Sequence, residues 1–138
     1  MKRLVLDASV TLSWCFEDQQ TGFSESVLAA VGQGASPLAP PIWMYEVINV
    51  LATARRKKLL DQATAAAFWN KVCKLVAVVE NPEKSTAHEI LELAEKYRLT
   101  AYDAAYLELA LREGLPLATL DKDLKKAAHA AGVRLFAP

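Results

Sequence analysis

Short apolar runs alternate with longer stretches of helical periodicity along this chain. The first run, Lys2-Arg3-Leu4-Val5-Leu6-Asp7, is brief, apolar and bounded by charge, and reads as a buried strand. Ala8 to Phe16 reads as a turn into a short helix, with Ser9 or Thr11 available to cap it. Ser24 to Val31 has a helical pattern, stopped by Gly32 and Gly34. Leu38-Ala39 is a short strand leading to Pro40-Pro41, after which a helix is expected from Ile42 to about Lys58. Asp61 caps the next helix, which runs to about Leu75, and the β-branched run Val76-Ala77-Val78-Val79 is a third strand. Thr86-x-x-Glu89 has the form of a capping box opening a helix to Tyr97. Thr100 precedes a helix from Ala101 to Arg112, closed by Gly114. Strand Leu117-Ala118-Thr119, a helix from Asp123 to Ala131, and strand Val133-Arg134-Leu135-Phe136 complete the pattern.

Strands alternating with helices predict parallel pairing with right-handed crossovers. The expected fold class is α/β: a three-layer α/β/α domain with a central, mostly parallel sheet of about five strands. One domain over residues 1–138 accounts for the length, which is enough to bury roughly two-thirds of the unfolded surface. No repeat, linker or low-complexity segment interrupts it.

Composition narrows the chemistry. Hydrophobic residues form 53% of the chain and charged ones 23%, which excludes a disordered protein. The 16 basic and 16 acidic residues cancel, so affinity for nucleic acid has to come from local patches. Cys15 and Cys73 are too few for a disulfide framework or a zinc site, and read as apolar thiols. His88 and His129 have no partner spacing for a metal. With no signal peptide and no apolar stretch of ~20 residues, the chain reads as soluble and cytoplasmic, with no membrane association.

Four acids stand out against this background: Asp7, Glu46, Asp103 and Asp121. Asp7 and Asp121 follow apolar runs, and parallel strands deliver their C-terminal ends to one edge, where ligands bind in open α/β sheets. Each acid also has an ordinary structural explanation. Asp7 and Asp121 stand where a helix N-cap belongs. Asp103 lies three residues after Thr100, at N3 of a possible capping box. Glu46 resists such an account best. It is the only charge from Ile42 to Thr53, and Glu46, Asn49 and Thr53 form one polar stripe on an apolar helix. A lone carboxylate is costly to bury unless it is paired or bound to a cation. Gathered acids in a chain without net charge point to a hard divalent cation, Mg²⁺ above all, and to metal-assisted phosphodiester chemistry. Ser9 and Thr119 flank the strand-end acids and are placed to orient a carboxylate or a water, or simply to make turns and caps. Asp123 is a doubtful fifth acid, since a first-turn acid also complements the helix dipole.

The runs Leu-Val-Leu-Asp7-Ala-Ser9, Glu46-Val-Ile-Asn49-Val-Leu, Tyr102-Asp103-Ala-Ala-Tyr106-Leu-Glu-Leu-Ala and Ala118-Thr119-Leu-Asp121-Lys-Asp-Leu, in this order, resemble the PIN-domain ribonucleases. More narrowly, they resemble the VapC-type toxins of prokaryotic toxin–antitoxin pairs. The resemblance implies an endoribonuclease dependent on Mg²⁺ or Mn²⁺ that acts on single-stranded RNA. It implies Asp7 and Asp103 as direct metal ligands, Asp121 as a helper, and Glu46 binding metal or orienting water, with Ser9, Asn49 and Thr119 in support. It also implies a homodimer and an antitoxin partner whose C-terminal segment occludes the active-site groove.

Basic residues near the acids are the candidate RNA contacts: Lys122, Lys125 and Lys126 after Asp121, and Arg55 within Arg55-Arg56-Lys57-Lys58. The run at 55–58 is equally served by helix-dipole complementarity. Trp14, Trp43 and Trp69 read as core or interface residues, and the apolar segment from Pro41 to Leu75 as a dimer or antitoxin surface. Two rival readings remain. One is a PIN-like module that binds RNA or antitoxin without cleaving. The other is a haloacid-dehalogenase-like phosphatase, which resembles D-x-D at the site where this chain has Asp7-x-Ser9.

Overall fold

The computed structural model of the chain describes residues 2–80 and 83–138. Among them are four strands, β1 (Arg3–Leu6), β2 (Ser36–Ala39), β3 (Ala77–Val78) and β4 (Leu117–Ala118). Seven helices surround them: α1 (Ala8–Ser13), α2 (Gly22–Gly32), α3 (Ile42–Arg56), α4 (Gln62–Leu75), α5 (Lys84–Tyr97), α6 (Ala101–Glu113) and α7 (Lys122–Ala130). The sheet order is β3-β2-β1-β4 and every pairing is parallel, giving the expected three-layer α/β/α arrangement.

The sheet has four strands where the apolar runs predict about five. Residues 133–136 do run beside β4, with Leu117 N–H donating to Arg134 C=O and Phe136 N–H to Leu117 C=O, both at 2.9 Å. This makes an isolated bridge between Leu117 and Leu135 rather than a strand. Only the one residue pair bridges, so residues 133–136 follow the sheet edge without extending it by a ladder.

Chain order explains where a site can form. From β1 the chain moves outward to β2 and then β3, and returns through α5 and α6 to place β4 on the other side of β1. The direction of winding therefore reverses at β1, and the crevice beyond the ends of β1 and β4 is the topological switch point. Leu4, Val5 and Leu6 are fully buried there, with Leu117 and Ala118 beside them. Such two-sided burial is what a continuous apolar strand encodes. Helix α6 is enclosed as well: every residue from Ala104 to Ala110 is buried, and it packs on β1, β4, α5 and α7.

Local signals fix most helix ends. Thr21 and Ser24 exchange backbone and side-chain hydrogen bonds in a capping box, starting α2 two residues ahead of the expected Ser24. Asp61 caps α4 by accepting from Thr64 N–H at 2.7 Å, and Thr100 caps α6 by accepting from Asp103 N–H at 3.1 Å. The expected capping box at Thr86 does not form. Helix α5 already begins at Lys84, so Thr86 sits inside its first turn and is buried.

Candidate active site

Asp7 is the first residue beyond β1 and is 4% exposed. It occupies the N-cap position of α1, yet its side chain makes no capping hydrogen bond. Its Oδ2 instead accepts from Ser9 Oγ at 2.6 Å and from Thr119 Oγ1 at 2.7 Å. Thr119 follows β4, so this second bond ties the ends of the neighbouring strands β1 and β4 together across 112 residues of sequence. Each hydroxyl also accepts a backbone N–H: Leu120 donates to Ser9 Oγ and Asp121 donates to Thr119 Oγ1, both at 3.0 Å. With a lone pair so engaged, each hydroxyl proton is directed at the carboxylate.

Glu46 reaches the same region from α3, half-buried, and its Oε1 accepts from Tyr106 Oη at 2.8 Å. Asp103 reaches it from the first turn of α6, also half-buried. The N–H of Asp103 is bound to Thr100, but its carboxylate has no hydrogen-bond or ion-pair partner among the described residues. Asp121 is both a site neighbour and a true N-cap, its Oδ1 accepting from Leu124 N–H at 2.8 Å.

The electrostatics join these acids into one group. Burial pushes the Asp7 carboxyl above its ordinary range, and the charge of Asp121 adds to this, against the lowering by Ser9, Thr119 and the Ala8 backbone amide. Glu46 is raised to about 7 by burial, with Asp7 and Asp103 pushing the same way and the Tyr106 hydroxyl opposing. Asp103 is raised to about 6 by burial and by the charges of Asp7, Asp121 and Asp123. Like charges that disfavour one another's ionisation are the expected result of gathering acids without a counter-ion. No Lys, Arg or His forms an ion pair with any of the five among the described residues.

The other candidates are placed less centrally. Asn49 is exposed one turn beyond Glu46 and lines a surface groove with Phe16, Gln19, Thr53 and Lys57. Arg55 is exposed near the end of α3, where its charge acts on Asp61 rather than on the acids. Lys122 and Lys126 are exposed on α7, while half-buried Lys125 lies 6.0 Å over the ring of Phe23. Trp43 is buried, donating Nε1–H to Thr11 Oγ1 at 3.0 Å and lying 5.7 Å from Trp69, as a core aromatic would. Sequence reasoning passed over Tyr106 as a site residue. Its signal was the spacing Asp103-x-x-Tyr106, which puts the phenol one turn behind the acid on the same helix.

Whether the residues suit a divalent cation is decided by donor chemistry. The donors are all oxygen, and no three Asp, Glu, His or Cys among the described residues converge as a ready ligand cage. An all-oxygen donor set is the type that a hard cation such as Mg²⁺ takes, with water and phosphate oxygens completing its octahedron.

A model of the PIN domain family matches residues 4–130, a span running from β1 to the end of α7 and holding all these acids. The chain belongs to the PIN domain family. Membership leaves the dehalogenase-like reading without support. Among PIN relatives, exonuclease VapC9 of Pyrobaculum aerophilum is 36% identical over 81 residues, or 59% of each chain. Ribonuclease VapC3 of the same organism is 29% identical over 123 residues, or 88% of this chain and 92% of that one. The PIN fold itself recurs in the structure of VapBC2 from Rickettsia felis bound to a DNA fragment from their promoter. The TM-score is 0.70 over 97% of both chains, and at 10% identity the likeness concerns fold alone.

Proposed function

We propose that this PIN protein is a Mg²⁺- or Mn²⁺-dependent endoribonuclease and the toxin of a VapBC-type pair. One observation carries the reading: Asp7, Glu46 and Asp103, from three separate elements, are each raised by burial and by the charge of neighbouring acids, with no ion-pair partner among the described residues. The relatives named VapC, one a ribonuclease and one an exonuclease, set the chemistry as nucleic-acid cleavage.

Asp7 and Asp103 would hold the ion, with Asp121 assisting and Glu46 ligating or orienting the attacking water. A bound ion would supply an activated water and neutralise charge on the phosphate. The protein contributes orientation: Ser9 and Thr119 hold Asp7 by a single oxygen, leaving Oδ1 free of both hydroxyls. Glu46, titrating near neutrality, is suited to receive a proton from water. Lys122 and Lys126, exposed on α7 after Asp121, would contact the phosphates of an RNA strand. Exposed Tyr45 and Ile48 on α3 suit a homodimer or antitoxin surface.

The test is cleavage of RNA in Mg²⁺ or Mn²⁺, with and without EDTA, beside Asp7→Asn and Asp103→Asn. Expected is metal-dependent cleavage that falls on the order of 10²–10³-fold in each variant. Cleavage that survives EDTA or both substitutions would refute the reading. RNA binding without cleavage in any metal would favour the non-cleaving module.

A further inference from the structure

We infer that Tyr106 is a positioning residue of the acid site, and that it works by capping the first amide of α1 while holding Glu46. Ala8 is the first residue of α1, and the first amides of a helix have no partner within it. An aspartate at the N-cap ordinarily accepts from the second or third of these amides, and Asp7 makes no such bond. The first amide, Ala8 N–H, donates to Tyr106 Oη at 3.3 Å, a contact spanning 98 residues of sequence. The same phenol donates to Glu46 Oε1 at 2.8 Å.

A hydroxyl has one proton and two lone pairs, so accepting from Ala8 turns the Tyr106 proton toward Glu46. The chain Ala8 N–H to Tyr106 O–H to Glu46 Oε1 has the same form as those ending on Asp7, where Leu120 N–H and Asp121 N–H feed Ser9 and Thr119. In all three, a backbone amide fixes a hydroxyl and the hydroxyl fixes a carboxylate. Tyr106 is fully buried, so its ring cannot swing to another partner without disturbing the core. The consequence is twofold. The start of α1 is tied to α6, and Glu46 is held by one oxygen with its second left for the reaction.

The value of Tyr106 to catalysis rests on the nuclease reading, whereas its capping of α1 does not, and two measurements separate them. In metal-free protein, Tyr106→Phe keeps the ring and removes the hydroxyl, and Ala8 amide exchange should speed up by about tenfold or more while far-ultraviolet circular dichroism is unchanged. Unchanged exchange at Ala8 would overturn the inference. Mn²⁺ affinity is then compared in wild type, Tyr106→Phe, Glu46→Ala and the double variant. Loss of an orienting partner typically weakens a site by about 10–100-fold. The expected loss for Tyr106→Phe is about tenfold, shrinking to less than about twofold when Glu46 is already alanine. An equal loss in both backgrounds would mean a general structural effect and would overturn the positioning role. So would no loss in either. If wild type itself binds no Mn²⁺, the nuclease reading fails, and the exchange of Ala8 decides the capping role by itself.

Discussion

Of the three site acids Asp7, Asp103 and Asp121, all at or near helix starts, only Asp121 uses its carboxylate as a cap, through Oδ1 to Leu124 N–H. Its two duties can be separated. Asp121→Ala removes cap and charge together and should cost about 1 kcal/mol of stability, read by urea denaturation. Asp121→Asn keeps a capping oxygen and should cost little, yet both variants should lose RNA cleavage if the charge matters to the ion. An Asn variant with full activity would confine Asp121 to its structural role. At this scale the sequence made the acids legible because each interrupts an apolar context. Tyr106 was not legible, because a tyrosine within Ala104–Ala110 looks like any other core aromatic until its hydroxyl is seen between Ala8 and Glu46. Asn49 shares the stripe of Glu46 but is exposed and lines a groove, a difference of helix rotation that periodicity does not resolve.

Helix α6 carries both Asp103 and Tyr106, so its seating decides the site's geometry. One side chain in it is out of keeping with the rest: Glu108 is 2% exposed. It is satisfied by a two-pronged bond from Arg112 one turn on, Nε to Oε2 at 2.9 Å and Nη2 to Oε1 at 3.2 Å. Removing the guanidinium would strand a buried carboxylate, which costs several kcal/mol in well-enclosed pairs. Arg112 is itself partly exposed, so Arg112→Ala should cost about 2 kcal/mol in thermal or urea unfolding. The paired change Glu108→Leu with Arg112→Leu should restore most of it, because an apolar pair needs no partner. Additive losses in the double variant would contradict this account of α6. Elements of this kind were legible wherever period and caps agreed, as in α3, α4 and α6. The last predicted strand was not, since nothing in its four apolar-leaning residues says that only one pair bridges to β4.

For the whole molecule, the notable property is a chain of zero net charge that concentrates unpaired acid at one switch point. Folding brings Glu46 and Asp103 to about 7 and about 6, above their ordinary values of 4.5 and 3.8. Between about pH 4 and pH 7 the folded chain therefore binds more protons than the unfolded one. The stability these groups lend is present at low pH and lost as pH rises through their folded values. Metal-free protein should accordingly melt at a lower temperature at about pH 7.5 than at about pH 5. A divalent cation should reverse most of that difference, because it binds the folded state and favours ionised carboxylates. The parallel sheet and its winding were legible from the alternation of strands and helices. The meeting of Asp7 with Thr119 was only implied, since strand order is fixed by crossovers rather than by any local signal.

The central claim is that these acids form a divalent-cation site, and a calorimetric titration with Mn²⁺ tests it most directly. In wild type near pH 6.5 the account predicts saturable binding with release of protons, chiefly from Glu46, and a marked loss of affinity in Asp7→Asn and in Asp103→Asn. No binding in wild type, or binding of equal strength in both variants, would contradict it.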